Sequence, residues 1–216
     1  MGLSMDGPAA YLLGVRPPQA MSADHWGAAG PPPETYSRVT NPSRFRDLHD
    51  VARSVLAELE SDFAVVRREG YGLDPELEKR GLASPTVELI PRDPSGAPLV
   101  VAFTDFPGLM VRCGYGLIAA FPACGCDACG ETAIAEATRF RDMLSSVTLG
   151  RFKEFVSLPV LGRTSYEYKL GEPADCGGRS EFEVSRNQVV VAGQGRTTTW
   201  KPWPHRRGAS GGLTER

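Results

Sequence analysis

Three cysteines that lie close together carry the most distinctive chemistry in this chain. Cys124, Cys126 and Cys129 follow the pattern C-x-C-x-x-C. The C-x-x-C half lets a single turn direct two sulfurs to a common point, and Gly125 and Gly130 supply the backbone freedom for such a turn. Zinc in proteins takes about four thiolate or imidazole ligands in a tetrahedron. The loop supplies three, so the spacing makes zinc one candidate, and such a site would need one further ligand.

The residues leave several candidates for that fourth ligand. Cys176, Cys113 and His49 offer the donor types that zinc prefers, and Asp127 offers a carboxylate within the loop itself. We take Cys176 first, which gives a predicted ligand set of Cys124, Cys126, Cys129 and Cys176. The chain has no second C-x-x-C pair, so the number of available ligands is the test of this hypothesis.

Two other interpretations compete with the metal site. A C-x-x-C motif at the start of a helix lowers a thiol pKa and suits redox catalysis, but thioredoxin-like folds place the motif in a βαβ unit, which this sequence does not predict. Alternatively, the thiols are small, partly buried groups on a tight loop and act as modest hydrophobes. On the sequence alone we favour this last interpretation.

Groups that move protons are scarce in this chain. It has three histidines, His25, His49 and His205. His49 lies one residue from the apolar stripe of a predicted helix, where we expect a boundary side chain. We therefore expect a non-catalytic binding or interaction module that has a protein partner and a structural cysteine loop. The alternative is a thiol- or metal-dependent enzyme that uses Cys124–Cys129, which would require a base such as His49 beside a sulfur.

Two helices are predicted to frame the loop. The first begins at Asn41-Pro42-Ser43, a capping side chain followed by proline in the first turn. The second begins near Glu131 or Thr132 and stops at Gly150. A short helix is also expected over residues 74–80. The apolar stripes are Phe45, Leu48, Val51, Ala52, Val55, Leu56 and Leu59 in the first helix, and Ala133, Ala137, Phe140, Leu144 and Val147 in the second.

Short β-rich runs fill the rest of the chain. They cover residues 63–68, 86–90, 99–104, 109–113, 116–121, 164–170, 181–185 and 188–192. Asp93-Pro94-Ser95-Gly96 is a turn sequence, and Arg186-Asn187 is a candidate hairpin link. The order of helix, strands, helix and strands predicts an α+β fold, with a mostly antiparallel sheet and two main amphipathic helices packed on it.

Composition and the two ends set further expectations. The 216 residues carry a formal net charge of −2, so no global basic field attracts nucleic acid. No apolar run approaches the roughly 20 residues that span a bilayer. The N-terminus lacks the basic region of a secretory signal, and we expect a cytoplasmic protein. Residues 1–34 are predicted to be a flexible Pro/Gly-rich arm, 35–207 a single domain and 208–216 a flexible tail, with Met1, Met5 or Met21 as the start.

Three segments match functional sequence motifs but lack the structural context that each motif requires. Residues 114–119 fit a loose dinucleotide-binding fingerprint but lack the helix that must follow. Residues 208–212 fit a nucleophile elbow but lie in the predicted tail. Residues 200–207 mix tryptophan with positive charge, and we expect the tryptophans to pack on the sheet while the cations remain in water.

The chain also resembles a known group of proteins. Residues 36–42 (Tyr-Ser-Arg-Val-Thr-Asn-Pro), residues 104–107 (Thr-Asp-Phe-Pro), and the Cys-Gly-Cys-Asp-Ala-Cys loop with its helix are similar to an uncharacterised actinobacterial family, classed as a domain of unknown function. The resemblance covers about residues 34–205. It implies no activity, but it does imply that the cysteine loop belongs to the domain.

Overall fold

Two antiparallel sheets and two α-helices form the fold in the computed structural model, which describes residues 23–74, 77, 84–158, 160, 163–183 and 195–206. Within these residues the helices are α1 (Asp47–Asp62) and α2 (Ala133–Thr148). The strands are β1 (Val65–Gly70), β2 (Thr86–Pro91), β3 (Leu99–Thr104), β4 (Gly108–Cys113), β5 (Leu117–Phe121), β6 (Phe152–Val156), β7 (Arg163–Leu170), β8 (Cys176–Glu183) and β9 (Arg196–Thr199). Short 3₁₀ turns cover Ala23–Ala29, Pro33–Thr35 and Pro42–Phe45.

The first sheet is a meander, and the second is not. In the first, β1 to β5 pair in sequence order, whereas the second has the order β8-β7-β6-β9. Every strand pairing is antiparallel. The α+β class is therefore confirmed, but the strands form two sheets where the sequence led us to expect one. The cysteine loop and α2 connect the first sheet to the second.

Helix α1 forms as its apolar stripe predicts. Phe45, Leu48, Ala52, Val55 and Leu56 are all buried. The start of the helix differs from the prediction, because a 3₁₀ turn precedes it and the side chain of Asn41 caps no backbone amide. That side chain instead accepts a hydrogen bond from the Ser43 hydroxyl at 2.6 Å.

Strand β3 is covered on both faces. Leu99, Val101 and Phe103 belong to the main core, whereas Val100 and Ala102 pack with Leu77 in a second, smaller cluster. This explains why residues 99–103 form a continuous apolar run without alternation. The main core also includes residues of both helices and of the second sheet, so the two sheets share one hydrophobic interior.

The C-terminal segment closes the core. Trp200 and Trp203 are buried, and the Trp203 indole N–H donates to the Ala97 carbonyl at 3.0 Å. Lys201 is exposed. The expectation that the tryptophans pack while the cations remain in water is confirmed for these residues.

Some predicted features lie outside the described residues. These are most of the 74–80 helix, the 188–192 strand, the Arg186-Asn187 link, most of the N-terminal arm and the C-terminal tail. The domain boundaries at 34 and 207 remain predictions. Within the described ranges, no helix is both long and apolar enough to cross a bilayer.

Candidate metal centre

The loop between β5 and α2 brings three sulfurs together. The Sγ atoms of Cys124, Cys126 and Cys129 all lie within 4.8 Å of one another, and those of Cys126 and Cys129 are 3.3 Å apart. Cys126 is buried, Cys129 is partly buried and Cys124 is exposed. The spacing in the sequence thus predicted a real convergence of thiols.

Hydrogen bonds favour one thiolate in this group. Burial alone would raise the pKa of Cys126, but hydrogen bonding with the thiols of Cys124 and Cys129 and with the backbone at Cys129 and Ala128 outweighs it, and the net effect is a lowered pKa. Hydrogen bonds to a sulfur stabilise the negative charge that a metal-bound thiolate carries. The turn is therefore preorganised around Cys126.

The other two thiols keep their protons more firmly. Burial is the largest cause of the raised pKa of Cys124, and also of Cys129, whose hydrogen bond to Cys126 adds to the effect. Full ionisation of all three requires a cation in their midst.

Glu131 holds the loop from the side of α2. Its carboxylate accepts the backbone amides of Ala123 at 3.0 Å, of Cys124 at 3.3 Å and of Gly125. Glu131 directly precedes Thr132, whose hydroxyl caps α2 by accepting the Ala135 amide at 3.2 Å. One carboxylate therefore ties the first cysteine to the helix start.

Residues 35–44 hold the loop from the other side. The amide of Asp127 donates to the Arg38 carbonyl at 2.8 Å, and that of Ala128 donates to the Thr35 carbonyl at 3.2 Å. In return the Asp127 carboxylate accepts the Thr40 amide at 2.9 Å and its hydroxyl, and it pairs with the Arg38 guanidinium at 3.1 Å. The hydrogen bonds from Thr40, and then the charge of Arg38, lower the pKa of Asp127.

Arg44 and Phe106 complete the surroundings of the loop. Arg44 donates to the carbonyls of Gly125 at 2.8 Å and Cys126 at 3.3 Å. Gly125 has φ +76°, and a Cβ at this position would lie 2.8 Å from the Phe106 ring. Glycine is thus required here both by the positive φ and by the closeness of the Phe106 ring, in agreement with the predicted role of Gly125 in the turn.

The predicted fourth ligands lie elsewhere. Cys176 begins β8 and lines a cavity of about 410 Å³ with Arg139 and Asp175. Cys113 is fully buried in β4, and burial raises its pKa. Within the part of the chain that the structure describes, no cysteine, histidine or acid joins the three sulfurs in a compact group.

His49 is engaged away from the sulfurs. Its Nε2 lies 2.9 Å from the Gly108 carbonyl oxygen, and its ring packs edge-on against Phe103. It is a half-buried side chain at the edge of α1, as its position beside the apolar stripe predicted. The structure does not unite it with a loop cysteine.

Sequence reasoning missed a buried carboxylate in β6. Glu154 accepts the amides of Tyr115 and Gly116 at 3.0 Å each, the Tyr166 hydroxyl at 2.6 Å and the Trp200 indole N–H at 2.7 Å. The signal was present, because Glu154 falls between Phe152 and Val156 on the inward face of an alternating strand. The segment with the loose dinucleotide fingerprint is thus the β4–β5 turn and the start of β5, and amides of the turn bind this internal carboxylate.

The fold and site define an α+β protein with a three-cysteine loop clamped between a helix start and an N-terminal segment. A family model, described as a family of unknown function (DUF6226), matches residues 21–207, and the chain belongs to that family. The expected resemblance to a domain of unknown function is thereby confirmed, while the actinobacterial origin remains a prediction. No curated protein and no solved structure matches the chain.

Proposed function

We propose that this protein is a non-catalytic, cytoplasmic interaction module in which Cys124, Cys126 and Cys129 hold a zinc ion. The convergence of the three sulfurs within 4.8 Å carries this proposal. The ion would stabilise the loop, which contacts Glu131 on one side and residues 35–44 on the other. We call this structural role of the ion a staple.

The sulfur positions suit zinc. A Zn–S bond of about 2.3 Å in a tetrahedron places neighbouring sulfurs about 3.8 Å apart. The separations within the group, 3.3 Å for Cys126 and Cys129 and at most 4.8 Å for any pair, bracket that value. The hydrogen bonding that lowers the pKa of Cys126 favours the thiolate that zinc requires.

The pattern of burial and pKa supports a staple over a nucleophile. Cys126, whose pKa is lowered, is a residue that is only 3% exposed. The exposed sulfur, that of Cys124, has a raised pKa and so remains a thiol. Cys176 lines the cavity, but burial raises its pKa too. A reactive cysteine combines exposure with thiolate character, and these residues divide the two properties between them.

Metal content tests the proposal directly. We expect protein purified under reducing conditions, with zinc supplied, to contain one zinc per chain by elemental analysis. Cys126→Ser should lose the zinc, whereas the matched control Cys176→Ser should retain it. Wild-type protein that is folded and zinc-free after this treatment would contradict the proposal, as would zinc that survives in folded Cys126→Ser.

Exposed apolar side chains beside the loop support a protein partner. Tyr36 and Val39 lie on the segment that clamps the loop, Phe106 packs on Gly125, and Ile134, in the first turn of α2, is 82% exposed. Exposed apolar residues grouped around one structural feature are typical of docking surfaces.

A pull-down of a partner protein from cell lysate tests this surface. We expect the double variant Tyr36→Ser/Ile134→Ser to lose the partner that the wild-type protein captures. Tyr71→Ser, which changes an exposed tyrosine after β1, should capture it as well as wild type. Equal capture by the wild type, the double variant and Tyr71→Ser would contradict this surface.

A further inference from the structure

We infer that the bound ion keeps a fourth coordination position open to solvent and that this position binds an external thiolate. The inference rests on the proposed metal site and goes beyond it, because it assigns the site a ligand from outside the chain. Structural zinc sites are closed by four protein ligands, whereas three-ligand sites retain an exchangeable position. Among the described residues, the compact group contains three sulfurs and no further donor.

Asp127 is the nearest acid in sequence, and its carboxylate is already engaged. Both oxygens accept hydrogen bonds from Thr40, and one also pairs with Arg38. Arg44 lies 3.7 Å from the other oxygen. Moving this carboxylate to a metal would break the contacts that hold residues 38–44 against the loop. Asp127 therefore holds residues 38–44 against the loop and does not ligate the ion.

Glu131 is the second acid at the loop, and it too has other partners. Its two oxygens share the amides of Ala123, Cys124 and Gly125. These are backbone donors at the entrance of the loop, which would otherwise lack a partner in this irregular segment. Turning Glu131 toward the sulfurs would leave these amides unpaired, so it does not complete the coordination sphere either.

The remaining soft donors are held in other parts of the fold. Cys113 is fully buried in β4 and Cys176 lies in the cavity beside Arg139, while His49 contacts the Gly108 carbonyl. The open position follows from where these side chains are placed.

The exposure of Cys124 gives the open position access to solvent. Cys126 is buried and Cys129 is partly buried, whereas Cys124 is exposed, and its neighbour Gly125 has no side chain to cover it. Three thiolates and a divalent ion carry a net charge of −1, and the guanidiniums of Arg38 and Arg44 lie against the same loop. These cations moderate the charge that a further anionic ligand adds.

A thiolate is the donor that this ion would prefer. Soft sulfur ligands select thiophilic ions, and such ions favour a further sulfur over water. In the exchange, an external thiol R–SH loses its proton to solvent, its sulfur bonds to the metal, and the bound water leaves. No electron is transferred, so no oxidant or reductant is needed. The external thiol has two sources, a low-molecular-mass thiol or a cysteine of a second copy of this chain, and the experiment separates them.

Cobalt(II) provides the probe, because its absorption reports both the number of sulfur ligands and the geometry. We expect Co(II)-loaded wild-type protein, at low concentration and without added thiol, to show a tetrahedral site with three sulfurs and one oxygen. Titration with 2-mercaptoethanol should shift the ligand-field bands in a saturable one-to-one manner. The thiolate-to-cobalt absorption should increase by about one third as three sulfurs become four. Ethanolamine, which lacks the thiol, should cause no such change.

The outcomes separate this inference from the proposed function. Failure of Co(II) to bind, or a three-sulfur spectrum that survives Cys126→Ser, overturns the metal site itself. A four-sulfur or thiol-insensitive spectrum in the monomer leaves the metal site standing and overturns the open position. A four-sulfur spectrum that appears only as concentration rises, together with dimer by sedimentation and loss of both in Cys176→Ser, supports the external thiolate and assigns it to a second copy. Should Cys126→Ser fail to fold, the exposed Cys124→Ser serves in its place and should show two sulfurs.

Discussion

Two carboxylates stabilise the irregular turns of this molecule by the same means. Glu131 accepts three amides of the cysteine loop, and Glu154 accepts two amides of the β4–β5 turn. A turn leaves backbone donors without partners in a helix or sheet, and a buried donor without a partner is costly. A carboxylate satisfies several such donors through charge-assisted bonds. Both residues therefore act as internal anchors for the backbone.

The substitution Glu131→Gln tests the anchor of the cysteine loop. The amide group keeps one acceptor oxygen but replaces the other with an N–H₂ that faces the backbone donors. We expect the free energy of unfolding in urea to fall by about 1–3 kcal/mol, and zinc affinity to fall with it, because the loop is less preorganised. The exposed Glu172→Gln is the matched control and should change neither quantity. An unchanged zinc affinity in Glu131→Gln would show that the loop keeps its shape without this carboxylate.

Glu154 permits a graded test of a buried anchor. Glu154→Gln places N–H donors against those of Tyr115, Gly116 and Trp200, and we expect a loss of roughly 2–4 kcal/mol in unfolding free energy. Tyr166→Phe removes only one donor to this carboxylate and should cost about 1 kcal/mol. Denaturant titrations of both variants measure the difference. A larger loss in Tyr166→Phe than in Glu154→Gln would contradict the assignment of Glu154 as the hub of this network.

At the scale of elements, the sequence predicts regular segments better than the contacts between them. Strands β2 to β5 were predicted close to their observed bounds because β-rich runs alternate with recognisable turns. Strand β8 begins five residues before the predicted start, because Gly177 and Gly178 have low β-propensity and pair with β7 through the backbone alone. Strand β6 was missed because its inward face carries Glu154, a residue that only its tertiary hydrogen bonds make compatible with burial.

In the candidate site, too, local features were predictable from the sequence and long-range contacts were not. The three loop cysteines could be predicted because C-x-C-x-x-C is a local spacing. The roles of Glu131 and Asp127 depend on partners that the fold brings to the loop, and no local pattern encodes them. Cys176 was a reasonable fourth ligand by residue type, but its place in β8 beside the cavity is set by the pairing of β7 with β8. Long-range pairing is the information that a single sequence lacks.

The end of α2 offers a prediction about backbone conformation. Gly150 has φ +70°, and a Cβ at this position would overlap the backbone of Pro202. Gly150→Ala should therefore lower the free energy of unfolding by about 2–4 kcal/mol, from left-handed strain and overpacking together. Gly171→Ala is the matched control, because its added Cβ would lie 3.4 Å from the Arg151 side chain, and it should change stability by less than about 1 kcal/mol. Equal effects by thermal unfolding would contradict this account of the helix end.

The cysteine loop as an element should bind metal in a pH-dependent way. In the metal-free loop Cys124 and Cys129 have raised pKa values and are thiols at neutral pH, while Cys126 has a lowered pKa. Binding displaces the remaining protons, so zinc affinity should rise with pH, with about two to three protons released per ion near neutrality. Calorimetry in buffers of different ionisation enthalpy counts these protons. An affinity that is constant between mildly acidic and mildly alkaline pH would exclude thiolate ligation.

For the whole molecule, the loop joins parts that the core alone does not unite. The main core spans both sheets and both helices, whereas residues 35–40, which precede that core, meet the rest of the protein at the cysteine loop through Thr35, Arg38 and Thr40. An ion that binds only the folded loop adds RT ln(1 + [M]/Kd) to stability, about 2.7 kcal/mol at a hundredfold excess over Kd. We expect this stabilisation to act first on local opening of the contacts between the loop and residues 35–44.

Limited proteolysis measures this coupling. The guanidinium of Arg44 donates to carbonyls of the loop, and its side chain is only 25% exposed, so cleavage by trypsin after Arg44 requires local release of the segment. We expect removal of zinc by a chelator to accelerate cleavage after Arg44 at least severalfold, since cleavage follows the population of the open form. Cleavage after Arg179 on β8 should change far less, because the second sheet keeps its strand pairing without the metal. If both sites respond equally, the ion stabilises the fold globally and the staple does not act on the N-terminal segment in particular.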